Sequence, residues 1–158
     1  MELRRHGVAC DIVPGITSAQ GAAAATGVPL THRGIATGVR YVTGHCRDDI
    51  DLEFDWDGMC DPQTTLVVYM GMQNIAQIAA RLIACGRARC TPVMAINNAT
   101  LPQQLSVIST LGDIARDAAS ACFSGPVLFV IGNVVGLHCE TTRTKEADDE
   151  PALALAAG

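Results

Sequence analysis

Apolar and polar positions fall into blocks along the 158 residues, and their period changes from block to block. TTLVVYMGM (64–72) is a near-continuous apolar run, the pattern of a strand covered on both faces in a parallel or central position. In NIAQIAARLIACG, which follows, Ile75, Ile78, Ala79, Leu82 and Ile83 recur at helical spacing; Asn74 stands at the cap position and Gly86 closes the helix. PVMAIN (92–97), Leu105 to Ile108 or slightly beyond, and SGPVLFVIG (124–132) read as further strands, with a helix over about 111–122. Upstream, MELRRHG reads as the last turn of a helix closed by Gly7, VACDIV (8–13) as a short strand, and GVRYVTGH (38–45) as a strand whose polar end is Thr43, Gly44 and His45.

The stretch 13–34, VPGITSAQGAAAATGVPLTHRG, organises the rest. Its apolar strand breaks on Pro14-Gly15, where glycine offers a backbone without Cβ. Thr17 and Ser18 are good N-cap types, and the small residues from Gly21 to Ala25 lead to a stop at Gly27. A helix so bare admits a close neighbour, and its first-turn N–H groups point back toward the strand end, where open α/β sheets bind small molecules. Two other strand ends are polar or Gly-bearing, at Met70-Gly71 and at Asn97-Asn98-Ala99-Thr100. If the strands run parallel, the three ends share one rim, and a ligand lying there touches all of them. The whole pattern predicts an α/β domain: a mixed, mostly parallel sheet of about five or six strands flanked by helices.

Composition narrows the function. With 49% hydrophobic and 17% charged residues and a net charge of −5, the chain suits one domain with a real core and no nucleic-acid groove; a polyanionic partner has to meet a local arginine cluster. No apolar run reaches the roughly 18 residues of a membrane span, and MELRRHGVACD lacks the hydrophobic stretch of a signal peptide, so a cytoplasmic protein is expected. Seven cysteines (Cys10, Cys46, Cys60, Cys85, Cys90, Cys122 and Cys139) form no CxxC pair, which argues against a disulfide framework or a zinc knuckle; buried reduced thiols are expected. His45-Cys46 has no second pair to complete a metal site. DDIDLEFDWDG (48–58) alternates acids with apolar residues and reads as an extended segment with one wet face. Glu53, Asp55, Asp57 and Gly58 fit positions 1, 3, 5 and 6 of an EF-hand loop, but position 12 is Thr64 instead of Glu, and no metal is expected.

The collinear order of VPGITSA, TGVPLTHRG, VRYVTGH, TLVVYMGM, PVMAINNAT and LFVIGNVVGL resembles the tetrapyrrole methylase family, in its branch acting on uroporphyrinogen III. The resemblance spans about residues 1–137. It implies transfer of methyl groups from S-adenosylmethionine to two ring carbons of uroporphyrinogen III, giving precorrin-2 on the way to sirohaem or cobalamin, in a cytoplasmic homodimer. By matched position it implies cofactor contacts at Thr17, Ser18, Met70 and Ala99. The substrate's eight carboxylates then call for arginines, for which Arg33 and Arg40 are the candidates, with His32 and His45 as lesser ones.

The family's GAGPGD loop, its RLKGGDPFIFGRG segment and its catalytic acid and base residues belong to an N-terminal domain, and these motifs do not occur here. The chain therefore resembles the C-terminal domain alone (1–137) followed by a disordered tail (138–158), with no catalytic residue of its own and no activity in isolation. Leu105 and Ser109 replace the family's usual Arg and Gly, and Asn133 a commoner Glu. The alternative is a non-catalytic ligand-binding or interaction module that keeps only this domain. A nucleotide-binding oxidoreductase ranks third, because no GxGxxG follows a strand and Gly15 to Gly21 lacks the Lys and Ser or Thr of a P-loop.

Overall fold

The computed structural model describes residues 2–44 and 54–138. Its five strands are β1 (Gly38–Thr43), β2 (Thr64–Tyr69), β3 (Pro92–Asn97), β4 (Leu105–Thr110) and β5 (Val127–Ile131), in the spatial order β1-β2-β5-β3-β4. The helices are α1 (Glu2–Arg5), α2 (Ser18–Thr26), α3 (Trp56–Met59), α4 (Ile75–Ala84) and α5 (Ile114–Ser120), and a 3-10 turn covers Asn133–Leu137. His45, most of the acidic segment and the residues from 139 onward, including nearly all of the expected tail, lie outside the described residues.

The central strands β2, β5 and β3 carry apolar residues on both faces because both faces are covered. Leu66, Val68, Val93, Ala95, Phe129 and Ile131 pack against α3, α4 and α5, while Val67, Met94, Ile96, Leu128 and Val130 pack against α2, Val28, Ala36 and the 3-10 turn. Successive side chains of one strand thus enter two different cores. That double burial explains the continuous apolar runs, and it corrects the expectation of a mostly parallel sheet. Only β1 and β2 pair in parallel; β2–β5, β5–β3 and β3–β4 are antiparallel. A run apolar on both faces records coverage, not strand direction.

The predicted strand at 8–13 does not form. Val8 to Ile16 have no regular structure, and Ile12 and Val13 are 87% and 86% exposed. A strand needs an edge to pair with, and this segment runs from α1 to the start of α2 without meeting one among the described residues. A capping expectation and a turn expectation also shift. Asn74 stands at the N-cap of α4 but makes no side-chain cap bond; its Nδ2 donates instead to the Gly44 carbonyl at 2.7 Å. Gly15 has open space where a Cβ would sit, so its position demands no glycine.

The glycines that the packing does require are Gly44 and Gly71. A Cβ on Gly44 would lie 2.5 Å from the Gly71 Cα, and one on Gly71 would lie 2.8 Å from Val68 Cγ1. The turns after the parallel strands β1 and β2 therefore touch backbone to backbone, joined further by the Gly44 amide donating to the Tyr69 carbonyl at 2.6 Å. On the α3 side, Phe54 and Trp56 meet edge to face with ring centroids 5.1 Å apart. Replacing Gly44 by Ala should cost about 2 kcal/mol, as overpacking against backbone does. Urea denaturation of the variant checks this; an unchanged midpoint would mean that the two turns separate freely.

Candidate functional site

β1, β2 and β3 point the same way, so their carboxyl ends lie on one rim, together with the amino end of the reversed strand β5. A cleft of about 1020 Å³ opens at that rim. It is lined by Gly15–Ser18 before and at the start of α2, by Gln20, Gly21 and Ala24 on α2, and by Tyr69 and Met70 at the end of β2. Ile96 and the turn Asn98–Leu101 at the end of β3 line it too, with Pro126–Leu128 at the start of β5. Thr17, Ser18, Met70 and Ala99 all stand in this wall. Arg33 and Arg40 do not.

The helix that forms one wall is fixed at its start by a reciprocal cap. The Gln20 amide donates to Thr17 Oγ1 at 3.4 Å, and the Thr17 amide to Gln20 Oε1 at 3.0 Å. The Ala19 amide donates to the Tyr69 hydroxyl at 3.2 Å, and the Gly21 amide to the Thr17 carbonyl at 3.0 Å. Three first-turn amides expected to be bare are therefore already engaged within the protein. α2 also comes close to the β3 turn: a Cβ on Gly21 would lie 3.2 Å from Thr100 Cγ2. The close approach thus falls at Gly21, the first of the small residues on α2, and not at Gly15.

The backbone at the rim is under strain. Met70, Asn98 and Thr100 have φ of 52°, 51° and 72°, a left-handed conformation uncommon for side chains with a Cβ and rarest for a β-branched one. The surroundings hold it in place. The Thr100 amide donates to Gln104 Oε1 at 2.7 Å, and the Leu101 amide to the Asn98 carbonyl at 3.1 Å. Asn98 Nδ2 donates to Asn97 Oδ1 at 3.0 Å, and the buried Asn97 Nδ2 donates to the Ser124 and Pro126 carbonyls at 3.0 and 3.1 Å. That network ties the end of β3 to the loop entering β5.

None of the lining residues carries a charge, so the cleft suits a ligand region of low net charge held by backbone, hydroxyl and amide groups. Arg40 lies outside it: Nη2 donates to Asp55 Oδ2 at 2.8 Å, while Asp55 Oδ1 accepts the Gly58 amide at 3.1 Å and caps α3. The Arg40 hydrogen bond first, and then the Gly58 amide, hold the Asp55 carboxyl below the usual aspartate range. Arg33 is exposed and makes no ion pair among the described residues; His32 Nδ1 hydrogen-bonds with the Arg33 backbone carbonyl at 2.9 Å. Among the described residues no three His, Cys, Asp or Glu side chains cluster as a metal site, and no helix is long and apolar enough to cross a membrane.

With this geometry in view, residues 1–115 match the family described as Tetrapyrrole (Corrin/Porphyrin) Methylases. The chain belongs to that family. Among its relatives, the "Uroporphyrinogen-III C-methyltransferase" of Paracoccus denitrificans is 50% identical over 133 residues, which is 84% of this chain and 46% of that protein. The "Siroheme synthase" of Azotobacter vinelandii is 45% identical over 137 residues, covering 87% of this chain and 29% of the relative. The chain thus spans about half or less of these relatives. Among solved structures, the uroporphyrin-III C-methyl transferase of Thermus thermophilus complexed with S-adenyl homocysteine superimposes with a TM-score of 0.70 at 33% identity, covering 85% of this chain and 57% of that one.

The sequence pattern missed Tyr69 and the Pro126–Leu128 floor of the cleft. The floor was hidden because it requires β5 to run against its neighbours. Replacing Tyr69 by Phe removes the acceptor of the Ala19 amide and should cost about 1 kcal/mol; denaturant titration checks this, and unchanged stability would mean that the amide has another partner. Asp55 makes a pH prediction. Its folded pKa is depressed, so its contribution is full above the unfolded value of about 3.9 and is lost as pH falls through the lower folded value. The difference in denaturation midpoint between the wild-type chain and Asp55→Asn should therefore be largest near neutrality and close in acid.

Proposed function

We propose that this chain is the part of an S-adenosylmethionine-dependent uroporphyrinogen-III C-methyltransferase that forms one wall of the cofactor cleft. The observation that carries the reading is the convergence of Thr17, Ser18, Met70 and Ala99 on a single uncharged cleft. The residues fit the group. An adenosine needs apolar cover and a few fixed polar atoms, which Ile96, Leu128, the Tyr69 hydroxyl and the strained β3 turn offer. S-adenosylmethionine brings an already activated methyl on its sulfonium, so what the protein adds is positioning. In this chain α2 and the left-handed turns fix the shape of the wall, Met70 would pack against apolar parts of the bound cofactor, and the two apolar cores beneath exclude water.

The exposed apolar segment Val8–Ile16, which borders the cleft at Gly15 and Ile16, supports a second wall supplied by further polypeptide or by self-association, and with it the homodimer of the cytoplasmic enzyme. In this reading residues 1–137 are the C-terminal domain and the acid and base groups lie in the N-terminal one. The tetrapyrrole's carboxylates fall outside the uncharged cleft, where Arg33 is exposed and Arg40 would exchange Asp55 for a substrate carboxylate. The chain alone should transfer no methyl group to uroporphyrinogen III.

The test is an amide NMR titration of the isotopically labelled chain with S-adenosylhomocysteine. Weak binding is expected, with shifts at Thr17, Ser18, Met70 and Ala99. Shifts confined to another surface, or none at millimolar ligand, would overturn the reading.

A further inference from the structure

The corner where α3, the start of β2 and the end of α4 meet lies at the rim opposite the cleft. Cys60 is the C-cap of α3, and its Sγ donates to the Leu82 carbonyl at 3.8 Å. The same carbonyl accepts the Arg87 amide at 2.9 Å. Leu82 opens the helical turn that ends in Cys85, the C-cap of α4, so the Cys60 thiol rests on the same turn that carries Cys85. Both thiols are free and half-buried. Arg87, 4% exposed, donates through Nη2 to the Asp61 and Thr64 carbonyls. Its Nε and Nη1 have no partner among the described residues. Two adjacent thiols beside a buried guanidinium with two idle donors form an arrangement that suits a transient thiolate.

We propose that Cys60 and Cys85 form a reversible dithiol–disulfide site, oxidised by a low-molecular-weight disulfide, with Arg87 steadying the attacking thiolate. One cysteine loses its proton to solvent and attacks a sulfur of the small disulfide, whose S–S bond breaks and releases one small thiolate. The second cysteine, deprotonated in turn, attacks the resulting mixed disulfide and expels the second. Two protein S–H bonds are lost and one S–S bond forms, while the oxidant is reduced to two thiols. Burial, the neighbouring Cys85 and Asp57 push the Cys60 thiol up against the opposing pull of Arg87. The bridge would staple α3 to α4 around β2, far from the cleft rim.

The experiment uses the full chain with the other five of its seven cysteines replaced by serine, incubated with glutathione disulfide and then denatured for thiol titration and peptide mapping. The expected result is loss of both remaining thiols, a single cross-linked peptide pair containing Cys60 and Cys85, unchanged monomer mobility on a non-reducing gel, and a melting temperature raised by several degrees that dithiothreitol restores. Cys85→Ser should instead leave Cys60 as a stable mixed disulfide with glutathione or unreacted. Persistent mixed disulfides on both cysteines, a cross-link between chains, or two thiols intact after prolonged oxidation would each overturn the proposal. Arg87→Lys, which keeps the charge but loses the fork, should slow bridge formation; an equal rate would remove Arg87 from it.

Discussion

The reversed strand β5 between β2 and β3 is the constraint on which the cleft depends. Neighbouring strands are about 4.8 Å apart, so two strands with a third between them are roughly 10 Å apart. Because β5 runs the other way, its starting residues Pro126–Leu128 form a floor between the ends of β2 and β3. A parallel strand in its place would bring a third carboxyl-end turn to that spot. The spacing lets the Met70 and Asn98–Leu101 turns stand as separate posts, with α2 laid beside them.

This architecture accounts for the strain at the rim. A strand that ends beside a ligand must turn its chain quickly, and the left-handed residues Met70, Asn98 and Thr100 do so at a cost of roughly 1–2 kcal/mol each. The buried amide of Asn97 is what fastens the turn after β3 to the entry of β5, and both of its donors are satisfied. Stability stored in the two cores thus holds an unfavourable backbone where the sheet meets the cleft.

Much of this was legible in the residues, and the exceptions have physical causes. The helices after Thr17 and Asn74, and the strands at 92–97 and 105–110, follow from period, caps and turn residues, which are local properties. PVMAIN is apolar throughout because two different cores claim its two faces, and that says nothing of direction; pairing is a long-range property. VACDIV carries a strand's composition but finds no edge, because backbone pairing needs a partner that composition cannot supply. Gly15 and Gly21 are both glycines of one stretch, and only the position of Thr100 distinguishes the one with a close neighbour. The side chain of Asn74 fits a cap, yet the nearby Gly44 carbonyl captures it.

The pairing of Phe54 with Trp56 has a practical consequence for spectroscopy. Trp56 is the single tryptophan of the chain and sits on α3, beside the Cys60 corner, whereas Tyr69 alone among the aromatic side chains lines the cleft. Emission from the indole therefore reports on α3 and its surroundings instead of on the cleft rim. A ligand that fills the cleft without disturbing α3 would leave the tryptophan spectrum silent, and the phenol absorbance of Tyr69 would be the signal that moves.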